Sequence, residues 1–433
     1  MEPWCVSLKS SQRSLRISAA SASSALKLFF NAEDAEIRRG RREKLLLRLI
    51  NPSLLLCLII LFTAPTNAQV QKNSKAAELR TRMQSYVDKG AIPGAVMLVM
   101  KKGQILSFEA VGYQDIESKK LMTTNSIFDI RSMTKPVTAI GIMILMEEGK
   151  LALNDTVEKY LPEFKNSAFK DDNGSQPITI RQLLTHTNGL PLYRLPISQE
   201  IPIKRHQTLV EYVDFLSKQT PEYKPGTLHR YASGGFAILG RIIEVVSGST
   251  FDQFIRERIF VPLGMEDSSF YFPVDKQDRF ASIYRKQDDK LVRWDELMAF
   301  SRNAKYPGPE FGMYSTASDL AALSQMLLDG GVYKGRRILS KLSVQQMAAN
   351  QTPGIISAAT GRPVVQGLSW GLFGDPVFDF PLTTRGSFGH NGAFGGIFWI
   401  DPEEGLIRIF LEHLFGSGNE NNVFMAMAAV LAE

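Results

Sequence analysis

An α+β fold is predicted by the order in which two periodicities occur along the chain. Segments with strand character stand near both ends, at 94–111 and 395–411. Helical patterns fill the stretch between them, and no repeat or low-complexity linker appears after residue 70. Strands, then helices, then strands again argue for an antiparallel sheet shared by the two ends, with the middle as a helical lobe. Residues 69–433 are therefore read as one domain.

Residues 75–89 carry an amphipathic helical pattern that stops near Gly90. Gly94–Met100 and Ile105–Val111 alternate around a Lys102-Gly103 turn, which predicts a hairpin. From 133 to 148 almost no polar face is left: Val137, Ile140, Ile142, Met143, Ile144, Leu145 and Met146 predict a helix buried on all sides. Gly149 suits its C′ position. Further helices are predicted at 179–186, 208–217, 234–247 and 250–258, and over Thr316–Leu328 with Ser315 as cap. Residues 367–373 are read as a sheet strand. Gly395–Ile400 and Leu406–Leu411 are strands joined across Asp401-Pro402-Glu403-Glu404-Gly405, and 420–432 is a closing helix.

The chain has 433 residues and a formal charge of +6. That excess is local, because residues 1–68 hold ten Lys/Arg against five Asp/Glu. The remainder is almost neutral, which removes the main support for a nucleic-acid partner. The leader itself has a recognisable layout. Arg38, Arg39, Arg41, Arg42, Lys44 and Arg48 precede the apolar run Leu54–Phe62, and Thr66-Asn67-Ala68 offers short side chains before a cut after Ala68. This layout predicts a secretory signal peptide over 38–68, against the alternative of a membrane anchor, for which the run is too short because spanning takes about 20 residues. The expected location is periplasmic or extracellular. Residues 1–37 are Ser-rich and poor in acids until Glu33; a start codon placed too far upstream is expected rather than an organellar transit peptide. Both cysteines, Cys5 and Cys57, fall in the leader. The mature chain is thus expected to have neither disulfides nor a thiolate nucleophile.

Three short motifs carry chemistry. Ser132-Met133-Thr134-Lys135 opens the apolar helix, and a Ser–Lys spacing of three puts both side chains on one helix face. The amine can then reach the hydroxyl, and the helix N-terminus favours negative charge there. The competing reading is a capping Ser and a solvated Lys; against it, a Lys on a helix without a polar face is buried and needs a partner or a depressed pKa. Tyr231-Ala232-Ser233 is expected on an extended turn, with Tyr231 and Ser233 on one side. A phenol acts as base only beside a cation, which Lys135 supplies; the alternative is a core tyrosine. His390-Asn391-Gly392 sits in a Gly-rich strand that a substrate backbone can approach closely. The Ala393 N–H pairs with the Ser132 N–H as a candidate oxyanion hole. The alternative for His390 is a loop histidine bonded locally.

Other signals are set aside. Gly367-Leu368-Ser369-Trp370-Gly371 fits the nucleophile-elbow pattern, but Leu372-Phe373-Gly374-Asp375-Pro376 is a poor helix start. His186, His206, His229, His390 and His413 lack metal-ligand spacing, so no metal is expected. No phosphate or dinucleotide fingerprint occurs in strand–helix context, so no cofactor is expected. His186, in Thr185-His186-Thr187-Asn188-Gly189, is read as a structural loop histidine.

Taken together, and in this order, the three motifs resemble those of the serine β-lactamase and penicillin-recognising hydrolase superfamily. Phe128-Asp129-Ile130-Arg131, Leu183–Leu190, Pro262-Leu263-Gly264-Met265 and Tyr314–Leu320 extend the likeness over roughly Ala76 to Ala432. The chain is similar to class C β-lactamases, D-Ala-D-Ala carboxypeptidases and family VIII carboxylesterases. The resemblance implies a β-lactamase/DD-peptidase-like fold. It also implies Ser132 as the acylated nucleophile, Lys135 and Tyr231 as the proton relay, and His390–Ala393 as the edge-strand motif. Two departures stand out. Ser233 replaces the Asn of Tyr-x-Asn, and His390-Asn391-Gly392 replaces Lys-Thr-Gly, whose Lys is a permanent cation for a substrate carboxylate. A histidine is only partly charged near neutral pH. These departures point away from efficient β-lactamase activity. The expectation is a serine hydrolase acting on small ester or amide substrates. A D-Ala-D-Ala carboxypeptidase or β-lactamase acting on a D-peptide or β-lactam is the alternative, and a non-hydrolytic binding module on the same fold a third reading. Residues 190–205 and 270–310 are expected to line the pocket.

Overall fold

The computed structural model describes residues 67–171, 174–191, 207–302, 304–374, 382–416 and 420–433. The chain divides into two compact units, Met1–Ala68 and Gln69–Glu433. The proposed leader lies outside the described residues except for Asn67 and Ala68.

The second unit is built on one seven-stranded antiparallel sheet. Its strands are β1 (Gly94–Lys101), β2 (Gln104–Asp115), β3 (Lys120–Leu121), β4 (Gly371–Leu372), β5 (Phe388–Asn391), β6 (Ile397–Asp401) and β7 (Leu406–Glu412), in the order β4-β5-β6-β7-β1-β2-β3. The two ends of the chain meet where β1 pairs β7, from Ala95 opposite Glu412 to Lys101 opposite Leu406. The predicted hairpin forms, and Lys102 and Gly103 have φ of +50° and +75°. Two successive positive φ values give the turn whose twist matches the flanking strands.

Both faces of this sheet are covered. Helices α1 (Asn67–Asp88) and α6 (Glu420–Ala432) pack on one side, with Leu79, Met83, Phe424 and Met425 against Ala95, Met97, Val99 and Trp399. On the other side Val96, Leu98, Ile407 and Ile409 join the core of the helical lobe. That is why Gly94–Val99 is buried at every position: its alternation separates two cores rather than core from water.

The lobe centres on α2 (Lys135–Glu147), which enters through the 3-10 turn Arg131–Thr134 and ends at Gly149 with φ +69°. Residues 135–145 are all buried. Helix α3 (Leu209–Ser217) packs on α4 (Gly234–Ser247), which packs beside α2, and α5 (Ala317–Leu328) lies against the sheet. The cap of α5 is Thr316, whose hydroxyl accepts the Asp319 N–H, and not Ser315. Ser315 is drawn instead into the two-residue ladder pairing Tyr314–Ser315 with Phe128–Asp129. The strand expected at 367–373 shrinks to β4. Before it, Ser369 is buried with φ +71°, and its N–H donates to the Leu184 carbonyl at 2.9 Å. A strand, not a helix, follows Ser369, so the nucleophile-elbow arrangement is absent. Among the described residues no helix is long and apolar enough to cross a membrane.

Candidate active site

The turn bearing Ser132 is braced before any chemistry is considered. Arg131 sits at φ +50°, a conformation that side chains other than glycine rarely adopt. Its buried guanidinium lies 3.5 Å from Asp129 and 4.1 Å from the centroid of the Phe394 ring. Asp129 accepts the Arg131 N–H at 3.2 Å. The Asp129 N–H donates to His413 Nε2 at 2.7 Å, and His413 Nδ1 donates to the Ala281 carbonyl at 2.6 Å. Backbone strain of this kind costs about 1–3 kcal/mol and persists only where surrounding contacts over-determine it. This buried set of contacts supplies that determination.

Helix α2 then carries Lys135 one turn beyond Ser132. Lys135 is fully buried, and its Nζ donates to Ser132 Oγ at 3.0 Å and to the Glu310 carbonyl at 2.8 Å. The 309–313 loop that presents this carbonyl is tied back to α2: Thr138 donates to the Pro309 carbonyl at 2.6 Å, and the Met313 N–H donates to Thr134 Oγ1 at 3.2 Å. The Tyr306 phenol bonds the buried Glu310 carboxylate and fixes the loop from within. Lys135 Nζ also lies 4.9 Å from the Tyr231 ring centroid and 5.8 Å from that of Phe236. Alcohol and amine from one helical turn and the phenol ring from a distant stretch of sequence therefore converge.

The edge strand β5 runs past this group. A Cβ at Gly392 would stand 2.5 Å from the Ile130 carbonyl and 3.4 Å from Arg131 Cβ, so only glycine allows the strand end to lie against the Ser132 turn. The Ser132 N–H lies in the first helical turn, where donors lack helical partners. The next residue on the edge strand's exit, Ala393, is exposed. Of the expected site residues, Ser132, Lys135 and Tyr231 come together, with His390, Asn391, Gly392 and Ala393 on the adjoining strand end. Ser233 departs from expectation: it has φ −69° and ψ −34° and leads directly into α4. The expected extended turn ends at Ala232 because the Ser233 carbonyl already accepts the Phe236 N–H at 2.9 Å. Of the stretches expected to line the pocket, 192–205 lie outside the described residues; of 270–310, Glu310 reaches the site through its main-chain carbonyl, which bonds Lys135.

His390 also needs correction. It is buried, its Nδ1 donates to the Asn391 carbonyl at 2.7 Å, and burial followed by the Lys135 charge pushes its pKa down to about 3. It is uncharged at neutral pH rather than partly charged. Residue-type reasoning missed the Glu310 main-chain carbonyl, which no side-chain motif announces. His186, read as a structural loop histidine, is buried at φ +54° with its ring 4.4 Å from that of Tyr231.

The buried histidines make stability acid-sensitive. His186, His229, His390 and His413 are all held below the ordinary imidazole range, chiefly by burial. The unfolded chain takes up these protons near the ordinary value and the folded chain does not, so stability falls as pH drops below about 6.5. Each such imidazole contributes a slope of up to about 1.4 kcal/mol per pH unit. Asp319, pushed up to about 6 by burial, acts in the opposite sense between about 4 and 6 and offsets roughly one of them. Urea unfolding at pH 8 and pH 5.5 is expected to show a clearly lower midpoint at pH 5.5, and equal midpoints would refute this reading.

The relatives agree with this architecture. The sequence profile of the Beta-lactamase family matches residues 79–432. Protein Rv1367c of Mycobacterium tuberculosis is 31% identical over 354 residues, covering 75% of this chain and 86% of its own length. Penicillin-binding protein 4 of Amycolatopsis lactamdurans is 30% identical over 334 residues, covering 74% and 80%. The solved structure of EstCE1, a hydrolase with promiscuous acyltransferase activity, superposes with a TM-score of 0.72 at 24% identity, covering 84% of this chain and all of that one; at this identity it speaks for the fold alone. Since the family match takes in the hairpin, the buried helix, the lobe and the closing sheet strands alike, the chain belongs to the Beta-lactamase family of serine hydrolases.

Proposed function

We propose that the chain is an exported serine hydrolase that works through an acyl-enzyme on small esters or amides, with uncharged esters favoured. Ser132 Oγ attacks the carbonyl carbon while the Lys135 amine takes its proton. The Ser132 and Ala393 N–H groups receive the developing oxyanion. The proton passes by way of the Tyr231 phenol to the leaving oxygen or nitrogen as that bond breaks. Water then adds to the acyl-enzyme with the same pair as base, releasing the acid and restoring Ser132.

The observation that carries the substrate preference is His390. Class C β-lactamases place a permanent cation there for a carboxylate, and this chain places a buried, neutral imidazole. A substrate carboxylate would have to be desolvated with no charge of opposite sign supplied by that residue. Likeness to a putative D-alanyl-D-alanine carboxypeptidase of Salmonella agona, 26% identical over 381 residues, favours the second reading, a D-Ala-D-Ala carboxypeptidase. The purified chain is expected to cleave p-nitrophenyl butyrate at least tenfold faster than it releases D-Ala from a D-Ala-D-Ala peptide, in kcat/KM, a gap of about 1.4 kcal/mol. The reverse order would transfer the assignment to the peptidase. Export rests on the layout of residues 38–68; the secreted form should have the mass of a chain beginning at Gln69, and a retained leader would count against it.

A further inference from the structure

We infer that His186 is the positioning residue for Tyr231, a role that rests on the proposed function. Tyr231 is 37% exposed and stands on a loop between His229 and α4. A half-exposed phenol on a loop is ordinarily free to change rotamer, yet the proposed relay needs it fixed beside Lys135.

One residue supplies the fixation at three points. The His186 ring covers the Tyr231 ring, with centroids 4.4 Å apart and planes 33° apart. The His186 carbonyl accepts the N–H of Arg230, the residue before Tyr231, at 3.0 Å. The imidazole bonds Ala232, the residue after it, in either neutral tautomer: Nδ1 accepts the Ala232 N–H at 3.2 Å or donates to the Ala232 carbonyl at 3.1 Å. Both flanks of the tyrosine and one side of its ring are thus held by a single side chain and its own carbonyl.

His186 can do this only in an unusual conformation. Its φ is +54°, and it is wholly buried, with the rings of Phe236 and His229 centred 5.2 Å and 5.9 Å away. Burial in this packed setting keeps the imidazole neutral, so it adds no cation beside the Lys135 amine. Its polar contacts run to the backbone around Tyr231 and not to Ser132, so it acts through the tyrosine and not as a base.

Two variants separate the ring from the bond. His186→Asn keeps a short polar group and tolerates the left-handed conformation but removes the ring. His186→Phe keeps the ring and removes the Nδ1 bond. The test is a double-mutant cycle with Tyr231→Phe, reading the acylation rate with p-nitrophenyl butyrate. His186→Asn is expected to slow acylation about tenfold or more beside Tyr231, and less than about twofold in the Tyr231→Phe background. Equal losses in both backgrounds, or no loss beside Tyr231, would overturn the role. If His186→Asn shows no cooperative melt, His186→Phe takes its place in the cycle. A second readout does not depend on activity. In protein labelled with 13C at the tyrosine Cζ, the resonance assigned by its loss in Tyr231→Phe should shift or broaden in the His186 variant. An unchanged resonance overturns the inference, even where the chain is inert to esters and the proposed function itself has failed.

Discussion

Ser132→Ala is expected to lower kcat for p-nitrophenyl butyrate by about 10⁶-fold, the scale seen when a hydrolase loses its nucleophile. The structure argues that this loss is chemical and not structural. Ser132 stands on a turn held by Arg131, Asp129, His413 and Phe394, none of which uses its hydroxyl. What the substitution removes is one hydrogen bond, the 3.0 Å contact with Lys135 Nζ. A typical hydrogen bond contributes about 0.5–1.5 kcal/mol net, so the fold should survive. The backbone donors remain, and a residual rate above that in water is therefore expected. A Ser132→Ala protein that melts normally and turns over the ester at the native rate would remove Ser132 from the mechanism.

Lys135→Met is expected to cost about 10²–10⁴-fold in the same assay, the usual contribution of a positioned general base. Methionine fills most of the space of the lysine stem in the fully buried α2. Stability is pulled two ways. The Glu310 carbonyl loses its donor, which costs about 1–3 kcal/mol for a buried group. Against this, an amine no longer has to be held out of water. The net change in unfolding free energy should therefore be small beside the kinetic loss. Activity reduced by less than tenfold with the fold intact would contradict the role of Lys135 as the base.

Much of this architecture is written in local sequence. Lys102-Gly103 between two apolar runs gave a hairpin because positive φ at both residues matches strand twist. Gly149 marked a helix end for the same conformational reason. The all-apolar face of residues 137–146 forced a buried helix, and with it a buried Lys135. What local sequence did not contain is long-range competition. Ser315 is as good a cap as Thr316 until Phe128–Asp129 claims its backbone for a ladder. Ser233 continues an extended run until α4 recruits its carbonyl. Residues 367–373 look like a strand, but only Gly371–Leu372 finds a partner on β5.

The site shows the same division. Ser132 and Lys135 are three apart, so helix geometry alone brings them together. Tyr231 joins them through tertiary packing, which motif order signals but spacing cannot prove. The charge of His390 depends on burial and on a lysine 255 positions away in sequence, and type alone leaves it open. His186 had only its setting in Thr185-His186-Thr187-Asn188-Gly189 to recommend it; its grip on Arg230 and Ala232 exists only in three dimensions.

The account depends most on a covalent bond forming at one oxygen. Intact-mass spectrometry of the chain quenched in acid milliseconds after mixing with p-nitrophenyl butyrate tests it directly. The account predicts a butyryl adduct that maps to the peptide holding Ser132 and is absent from Ser132→Ala. Ester turnover with no adduct, or with an adduct on any other residue, would contradict it.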